Sequence, residues 1–204
     1  GRTLAGIDTI SDAWGFRYQL GVNDMSAMMF PTDGKGLVYD NKSGAWSEWR
    51  AFSSTTQEWA APTITSALSW PENNLMLVGL STGQIAQLSQ DVYTDLGEPI
   101  RVELVSGFQS RDTAAQKHCK CVRLIFKRGQ AASGAARVEL SYRDDLGAYS
   151  QPHLFSMGTC GDYAATMEVR SLGTYRQRQW KVAFSGNQEL SLVRVEEEFE
   201  VLDN

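Results

Sequence analysis

The stretch GLVYDNKSGAWSEW (residues 36–49) predicts a β-hairpin whose second strand carries two tryptophans. An apolar run, LVY, leads into the polar turn NKSG, whose residue types tolerate positive φ or bond their own backbone. Trp46 and Trp49 are three residues apart, so in a regular strand they point to opposite faces of the sheet. We therefore expect one to be buried and the other to be partly exposed or packed on a neighbouring sheet. A flat sugar-binding platform would instead need two aromatics on one face.

Outward from this hairpin, short runs rich in Val, Ile, Leu and aromatic residues recur between clusters of Gly, Asn, Asp and Ser. Helical periodicity is scarce, and the pattern is typical of an all-β protein. Three methionines, Met25, Met28 and Met29, are interpreted as core filler of one strand. In the first half of the chain we predict strands near residues 13–20, 24–30, 36–40, 45–51, 65–70, 75–80 and 84–88.

A weak internal repeat links GLVYDNKSGAW, which begins at Gly36, with GQIAQLSQDVY, which begins at Gly83, 47 residues later. A period of about 40–50 residues built from short strands is the sequence mark of a β-propeller blade. We interpret residues 1–90 as two propeller-type antiparallel blades of a larger propeller, because two blades cannot close a ring. The chain opens with GRTLAG and no initiator Met, so we expect it to be the C-terminal part of a longer protein.

The chain changes character after the second predicted blade. Residues 91–105 predict a polar connection that leads into a strand. Residues 106–204 predict an antiparallel β-sandwich-like unit, because segments such as CVRLIFKR and RVELSYRD alternate apolar and charged residues. The small residues 129–136 between these two segments predict a long loop at a sheet end.

The segment ELSLVRVEEEFEVL predicts the last strand, with one apolar and one acidic face. Val193, Val195, Phe199 and Val201 are expected to face the core, interrupted by Glu197. An acidic opposite face would discourage edge-to-edge aggregation. A metal site in EEEFE is the alternative, but adjacent strand residues point to opposite faces. The predicted acidic face consists of Leu192, Arg194, Glu196, Glu198 and Glu200.

Charge argues against nucleic-acid binding by the first half of the chain. The formal net charge is -5, which gives no overall nucleic-acid footprint. Residues 1–103 carry 6 Lys/Arg and 12 Asp/Glu, net -6, whereas residues 104–204 carry 13 and 12, net +1. No apolar stretch approaches the ~20 residues of a membrane span, and no signal peptide is recognisable.

The cysteines and histidines predict no catalytic, cofactor-binding or metal-binding residue. Cys119 and Cys121 would share a strand face and Cys160 stands alone, so all three are interpreted as free thiols of a reducing compartment. The alternative is a metal site formed by His118 with the first two cysteines. Neither His118 nor His153 has the partners of a nucleophile elbow, and no glycine-rich phosphate loop is present. We predict that the protein is not an enzyme.

The segment SYRDDLGAYS (residues 141–150) resembles the Asp-box turn of sialidase-like propellers, a structural motif that lies away from the catalytic centre. In that motif an aspartate caps a hairpin loop that ends in an aromatic residue. The resemblance implies that Asp144 or Asp145 bonds backbone N–H groups of the loop and that Tyr149 packs beneath it.

A sialidase-like hydrolase is therefore one alternative function. It would need an arginine cluster with a tyrosine nucleophile, or else paired carboxylates. Arg170, Arg176 and Arg178 are the candidate cluster. However, Arg176 and Arg178 are spaced like surface arginines of a strand, and nothing in the sequence identifies a nucleophile.

Several stretches together resemble one family, the packaged-DNA stabilisation protein of short-tailed bacteriophages, also called the tail hub or nozzle protein. The most specific are DVYTDLGEPI and the pattern of Arg170, Leu172, Gly173, Arg176, Arg178 and Trp180. The matching stretches occur in the order of the family and are residues 10–19, 30–49, 83–100, 138–150 and 167–185.

The resemblance implies a structural part of the virion tail, assembled in the bacterial host cytoplasm. Such proteins self-associate into a ring below the portal and its adaptor, extend the DNA channel, help retain packaged DNA and offer attachment to the tail needle or spikes. DNA passes through without sequence-specific contact, and no cofactor or membrane anchor is implied. The family combines propeller-type blades with a further β domain.

Two features depart from the family pattern. Leu146 stands where members usually have a second small residue, and Tyr149 stands where they usually have Trp. Members are also much longer, so N-terminal blades would be missing from this chain. The alternative function from another class is a glycan-binding β module of a phage tail or surface protein.

Overall fold

A computed structural model describes residues 6–73, 75–127, 136–156, 167–186, 188 and 191–202. Within these ranges the protein is all-β, with nineteen strands, one short 3-10 turn and no α-helix. This confirms the predicted fold class. The chain divides into two compact units, Gly1–Glu98 and Pro99–Asn204. The predicted loop at 129–136, apart from Ala136, and Cys160 lie outside the described residues.

The first unit contains all seven strands predicted for it, with bounds that agree to within two residues. A hairpin of two three-residue strands was not predicted, because such short strands show no alternation of apolar and polar residues. The strands are β1 (Trp14–Leu20), β2 (Asn23–Phe30), β3 (Lys35–Asp40), β4 (Trp46–Trp49), β5 (Ala51–Ser53), β6 (Glu58–Ala60), β7 (Ile64–Trp70), β8 (Leu75–Leu80), β9 (Ile85–Leu88) and β10 (Thr94–Asp95).

Two antiparallel sheets form the core of the first unit. Strands β1 to β4 pair in chain order as a four-stranded meander, and β7 to β9 pair in chain order as a three-stranded one. Tyr18, Ala27 and Val38 of the first sheet join Met76 and Leu88 of the second in one apolar cluster. We call the sides of the two sheets that meet in this cluster their inner faces, and the opposite sides their outer faces.

Neighbouring strands of the first sheet leave little room for a side chain at Gly36 of β3. A Cβ on Gly36 would lie 2.9 Å from the Met29 sulfur and 3.1 Å from the Trp49 carbonyl oxygen. An alanine at this position would therefore displace the Met29 side chain and press on the backbone of the adjoining strand. The first glycine of the sequence repeat therefore has a packing role.

The second unit contains two antiparallel sheets. One has the order β12–β18–β14–β15, and in the other β13 pairs with β16, β17 and β19. The short strand β11 (Glu98–Pro99) spans the boundary of the two units and pairs with β10. The strands of the second unit are β12 (Arg101–Val105), β13 (Lys117–Lys127), β14 (Arg137–Asp144), β15 (His153–Ser156), β16 (Met167–Arg170), β17 (Thr174–Tyr175), β18 (Arg178–Ser185) and β19 (Ser191–Val201).

One apolar core is shared by the two sheets of this unit. Val122 and Leu124 of β13 join Val138 and Leu140 of β14 and Val182 of β18 in a single buried cluster. Burying one such aliphatic side chain contributes about 1.5–3 kcal/mol. The unit is thus a two-sheet sandwich, as the alternating strands predicted.

The last strand, β19, differs from its predicted role. Val195 pairs with Leu124 and so points inward as predicted, but β19 is an edge strand, and Val193, Val195 and Val201 are exposed. The prediction that these valines fill the core is wrong. A register shift between Ile125 and Phe126 brings Leu192 against the core instead.

Candidate functional site

The two tryptophans of the opening hairpin point to opposite faces of the first sheet. On the inner face, the ring of Trp49 lies 6.0 Å from that of Tyr18 and 6.4 Å from that of Phe16. On the outer face, Trp46 is 51% exposed and its ring lies 4.9 Å from that of Tyr39. The predicted division of one packed and one partly exposed tryptophan is confirmed. Trp46 is consequently the tryptophan of this pair available to a ligand or partner.

The three methionines divide in the same way. Met29 is buried in the shared cluster, and Met25 packs against it. Met28 is exposed on the outer face, opposite Leu37. The prediction of core filler is therefore right for Met25 and Met29 and wrong for Met28, because Met28 is an odd number of residues from both and points to the other side of the sheet.

The outer face of the β7–β9 sheet is apolar and uncovered. Ile85 is 77% exposed, Leu68 is 62% exposed, and Trp70 is exposed beside them. Register places these residues on the outer side, because Leu68 pairs with Leu77 and Ile85 pairs with Gly79. The three strands contain no charged residue. This combination is typical of an interaction surface.

Arg178 forms a buried polar centre in the second unit. Its side chain is fully buried at the start of β18. Its Nε donates to Asp144 Oδ1 at 2.6 Å, and its Nη2 donates to Asp144 Oδ2 at 2.8 Å and to the Leu172 carbonyl oxygen at 2.7 Å. The interpretation of Arg178 as a surface arginine is wrong, because its side chain shares the inward face of β18 with Trp180 and Val182.

Two aromatic rings flank the Arg178 guanidinium. Its carbon lies 4.2 Å from the centroid of Tyr142 and 4.2 Å from that of Tyr175. Nη1 has no hydrogen-bond partner among the described residues, so these ring contacts compensate its burial in part. Burial alone would lower the pKa of Arg178, but the hydrogen bonds and charge of Asp144 raise it. Arg178 stays charged and has a structural role.

A second buried group, Glu197, joins β19 to this centre. Its side chain is 1% exposed and accepts hydrogen bonds from Tyr175 Oη at 2.7 Å and Arg111 Nη2 at 2.7 Å. Burial, and then Glu197, raise the pKa of Tyr175. Burial and Glu197 also raise the pKa of Cys119 to about 12, so this thiol stays protonated. Glu197 is therefore a structural hydrogen-bond acceptor. The sequence predicted only that it interrupts the apolar face of the last strand.

The Asp-box-like turn is built differently from the motif that it resembles. Asp145 Oδ1 accepts a hydrogen bond from the Gln177 backbone N–H at 2.9 Å, so it caps the facing segment and not its own loop. Asp144 is occupied by Arg178. Tyr149 Oη donates to Gln179 Oε1 at 2.9 Å, and its ring contacts Arg143. The motif is structural, as expected, but the predicted capping of its own loop is wrong.

The three arginines proposed for a sialidase-like cluster do not form one. Arg170 is exposed on β16 and its Nε donates to Glu168 at 2.5 Å. Arg176 is exposed and donates to the Ala114 carbonyl oxygen at 2.9 Å. Arg178 is buried against Asp144. Each arginine therefore has its own protein partner, and the three do not converge on one anion site.

Cys119 and Cys121 do not share a face. A β-bulge between them shifts the register, so Cys119 pairs with Phe199 inward while Cys121 pairs with Glu198 outward. Both are buried free thiols. In the described part of the chain no three His, Cys, Asp or Glu residues are placed to hold a metal ion. The metal site of His118 with both cysteines is therefore contradicted by the bulge.

Two surface grooves are further candidates for ligand sites. One, of about 410 Å³, lies in the first unit, where Arg17 pairs with Asp24. The other, of about 690 Å³, lies in the second unit and is lined by Asp112, Asp145 and Arg176 among others. Asp145 and Arg176 are already bonded to backbone groups. That the protein is not an enzyme stays a prediction.

Sequence reasoning missed the outer face of β7–β9 and the Arg178 centre. The outer face of β7–β9 could have been found from the sequence, because LSW and LMLVGL place apolar residues on both sides of adjacent strands. The Arg178 centre gave no sequence signal, since RQRQW alternates like a surface strand.

No helix in the described ranges is long and apolar enough to cross a membrane. Comparison with known protein families and with curated proteins gave no match to this chain.

Proposed function

We propose that this protein is a structural component of a bacteriophage tail hub, or nozzle, that extends the DNA channel below the portal and helps retain packaged DNA. It works by assembly and not by catalysis. The proposal combines the sequence resemblance with the architecture of the first unit.

The observation that carries the proposal is the stack of two antiparallel meanders on one shared core. Successive blades of a propeller pack in this way. The two copies of the sequence repeat fall on β3 and β9, each the third strand of its sheet. The repeat thus relates equivalent strands, which supports an interpretation of the two sheets as propeller-type blades.

The second unit has features expected of a rigid structural part. Its centre is an arginine held by a carboxylate, a carbonyl and two rings, and its last strand is tied in through buried Glu197. Buried polar networks of this kind favour one rigid arrangement where most of their groups are hydrogen-bonded. A sandwich with such a centre is consistent with a structural part that keeps its shape in an assembly.

The charge of the first half also suits a DNA channel. The net charge of -6 over residues 1–103 repels phosphate. Clustered Lys or Arg would instead add salt-dependent affinity for DNA and slow the passage of the genome. We expect any channel-lining surface of these residues to be neutral to acidic.

Electron microscopy of the protein mixed with its cognate portal–adaptor complex tests the proposal. The expected result is an added ring at the distal end of the adaptor, coaxial with the channel. The proposal fails if the adaptor end stays bare while the protein remains folded and in excess.

The exposed Trp46 favours one second candidate, a glycan-binding module. Its indole lies beside Tyr39 on the outer face, and Ser26 and Asn41 of the same sheet region are hydrogen-bonded to each other at 3.0 Å. Binding on a glycan array that is lost in Trp46→Ala and kept in Trp49→Ala supports this candidate. Loss in Trp49→Ala alone would indicate unfolding of the inner face.

A further inference from the structure

The two sheets of the second unit differ in how their charged side chains are paired. Four ion pairs join cations to acids in the sheet that contains β13, and they are Lys120–Glu200, Arg123–Glu168, Arg170–Glu168 and Arg194–Glu196. In the sheet that contains β18, Arg101 binds both Glu103 and Glu139. Arg143 and Lys181 of that sheet have no acid within ion-pair distance in the described part of the chain. Their two positive charges are thus not neutralised by ion pairs within the protein.

Arg143 and Lys181 are diagonal neighbours on the side of this sheet that faces away from the core. Arg143 of β14 pairs with Gln179 of β18, and Lys181 lies two residues beyond Gln179. Because residues two apart in a strand share a face, both side chains point away from Trp180, which belongs to the core. The centroid of the Tyr149 ring lies 5.0 Å from Arg143 Cζ and 4.7 Å from Lys181 Nζ. The two charges therefore flank one ring.

The guanidinium of Arg143 is held in place by uncharged groups. Its Nε donates to Gln179 Oε1 at 2.6 Å, and Gln179, which is buried, donates through Nε2 to the Ser106 carbonyl oxygen at 2.6 Å. Its Cζ lies 5.1 Å from the centroid of Phe108 and 5.0 Å from that of Tyr149. The two Nη groups donate to no described residue. The edge of the guanidinium that carries them is therefore preorganised and available.

Arg178 shows what an arginine in such a setting binds. Its guanidinium also contacts two rings, those of Tyr142 and Tyr175, and Asp144 accepts two hydrogen bonds from its fork. Arg143 has the two ring contacts without the carboxylate. Ring contacts stabilise the positive charge but leave the N–H groups without acceptors. An oxyanion from another molecule can take the place at Arg143 that Asp144 takes at Arg178.

We propose that Arg143 and Lys181 form a binding site for a phosphate group. A planar guanidinium donates two parallel hydrogen bonds to phosphate oxygens, and an ammonium group adds a point charge. A phosphate monoester carries close to two negative charges at neutral pH, which matches the two cations. A carboxylate carries one and would leave one cation without a counter-charge. The site takes either a free phosphate compound or the backbone phosphates of a nucleic acid.

The site goes beyond the proposed function and does not rest on it, because contacts within the second unit alone carry the inference. It leaves the acidic first half of the chain as a surface that repels DNA. Affinity for a nucleic acid rises with the number of phosphates that are neutralised, and two cations neutralise few. Any binding of a nucleic acid at this site is therefore weak and falls as salt is added.

Titration of inorganic phosphate into the isotope-labelled protein, followed by NMR at constant ionic strength, tests the site. Chloride at the same ionic strength is the reference anion. We expect saturable shifts of the Arg143 Nε–H and of the Lys181 and Tyr149 amides. Arg143→Gln should weaken phosphate binding about tenfold or more, because hydrogen bonds to a charged group contribute at least that much.

Three further variants separate the site from general charge effects and from misfolding. Arg143→Lys keeps the charge but loses the fork, so it should bind phosphate less tightly than the wild type. Lys181→Gln removes a side chain that donates no hydrogen bond to the described residues, so the fold should persist while binding weakens several-fold. Arg194→Gln makes the same charge change at an exposed arginine of the other sheet. It is the matched control and should bind phosphate like the wild type.

A second titration, with a short single-stranded oligonucleotide, identifies the source of the phosphate. Oligonucleotide binding that Arg143→Gln weakens assigns the site to a nucleic-acid backbone, whereas binding of inorganic phosphate alone assigns it to a small phosphate compound.

Two results would overturn the inference. The first is that neither ligand shifts the Arg143 and Lys181 signals of the wild type at about 10 mM, where even a millimolar site is filled. The second is that Arg143→Gln and Lys181→Gln, with native-like spectra, bind as tightly as the wild type. Neither result bears on the ring at the portal–adaptor complex, which tests the proposed function separately.

Discussion

Arg178 and Asp144 form a bidentate ion pair inside the second unit, with Nε–Oδ1 at 2.6 Å and Nη2–Oδ2 at 2.8 Å. The arginine is fully buried, whereas the aspartate side chain is 27% exposed. The pair joins the start of β18 to the end of β14, and the tyrosines at 142 and 175 flank the guanidinium. The ion pair therefore fixes the relative position of strands around the centre of the sandwich.

Removing the carboxylate should cost more than removing the whole ion pair. Asp144→Asn leaves a buried guanidinium without its counter-charge, and we expect a loss of about 3 kcal/mol in the free energy of unfolding. Arg178→Met with Asp144→Asn replaces the pair with an apolar side chain of similar length and should recover part of that loss. Urea unfolding of the three proteins measures both effects. An Asp144→Asn variant within about 0.5 kcal/mol of the wild type would show that the pair is not structurally important.

The buried carboxylate of Glu197 should stabilise the packing of β19. Glu197→Gln keeps the shape but loses the charge that accepts from Tyr175 and Arg111, and Tyr175→Phe removes one donor only. We expect losses of about 2 kcal/mol and about 1 kcal/mol, respectively, in the free energy of unfolding. Glu198→Gln, at an exposed position of the same strand, is the control. Equal effects of the Glu197 and Glu198 variants would contradict the assignment.

Cys119 should resist alkylation in the folded protein. Burial and Glu197 raise its pKa to about 12, so almost no thiolate exists at pH 8 to 9. In the unfolded chain the pKa is about 8.5, and the folded state is therefore favoured below that pH and loses this contribution as the pH rises towards 12. Iodoacetamide labelling followed by peptide mass spectrometry should modify Cys119 only after denaturation. Native labelling at pH 8 as fast as that of a free thiol would contradict the burial.

The two tryptophans of β4 should differ in their contribution to stability. Trp49→Ala removes an inner-face ring from the cluster with Tyr18 and Phe16, and we expect a loss of about 3 kcal/mol. Trp46→Ala removes a half-exposed ring and should cost less than about 1 kcal/mol. Thermal unfolding of both variants makes the comparison. A larger loss in Trp46→Ala would mean that the faces are assigned the wrong way round.

Because the first half of the chain is acidic, the protein should bind DNA only weakly. Fluorescence anisotropy with a short duplex at low salt should give a dissociation constant weaker than micromolar, because the net charge of residues 1–103 is -6. Substituting lysines for acids on this half should strengthen binding and steepen its dependence on salt. Submicromolar affinity of the wild type at low salt contradicts a channel that passes DNA freely.

Alternation and turn chemistry were sufficient to predict the seven longer strands of the first unit and the opposite orientation of Trp46 and Trp49. They were not sufficient wherever a β-bulge intervenes. The register shift between Cys119 and Cys121 turns two residues at i, i+2 to opposite faces, and the shift between Ile125 and Phe126 brings Leu192 inward. A bulge adds one residue to one strand only and breaks the period of two there, so an assignment of faces that assumes regular alternation fails beyond it.

Buried charged side chains were the other feature that could not be predicted from the sequence. Arg178 and Glu197 occupy positions whose neighbours alternate as in solvated strands, and only their partners from distant segments make burial tolerable. Those partners lie 34 and 22 residues away along the chain, so no local pattern shows them. The exposed apolar face of β7–β9 differs, because its composition is visible in the sequence and only its lack of cover needs a structure.

Genome retention tests the central claim most directly. Phage particles assembled without this protein and then supplied with it in purified form can be treated with nuclease, and the protected DNA measured. The account predicts that particles without the protein lose their DNA and that addition of the folded protein restores protection, with a ring visible at the portal vertex. Full DNA protection in particles that never received the protein would contradict a role in holding the genome in place.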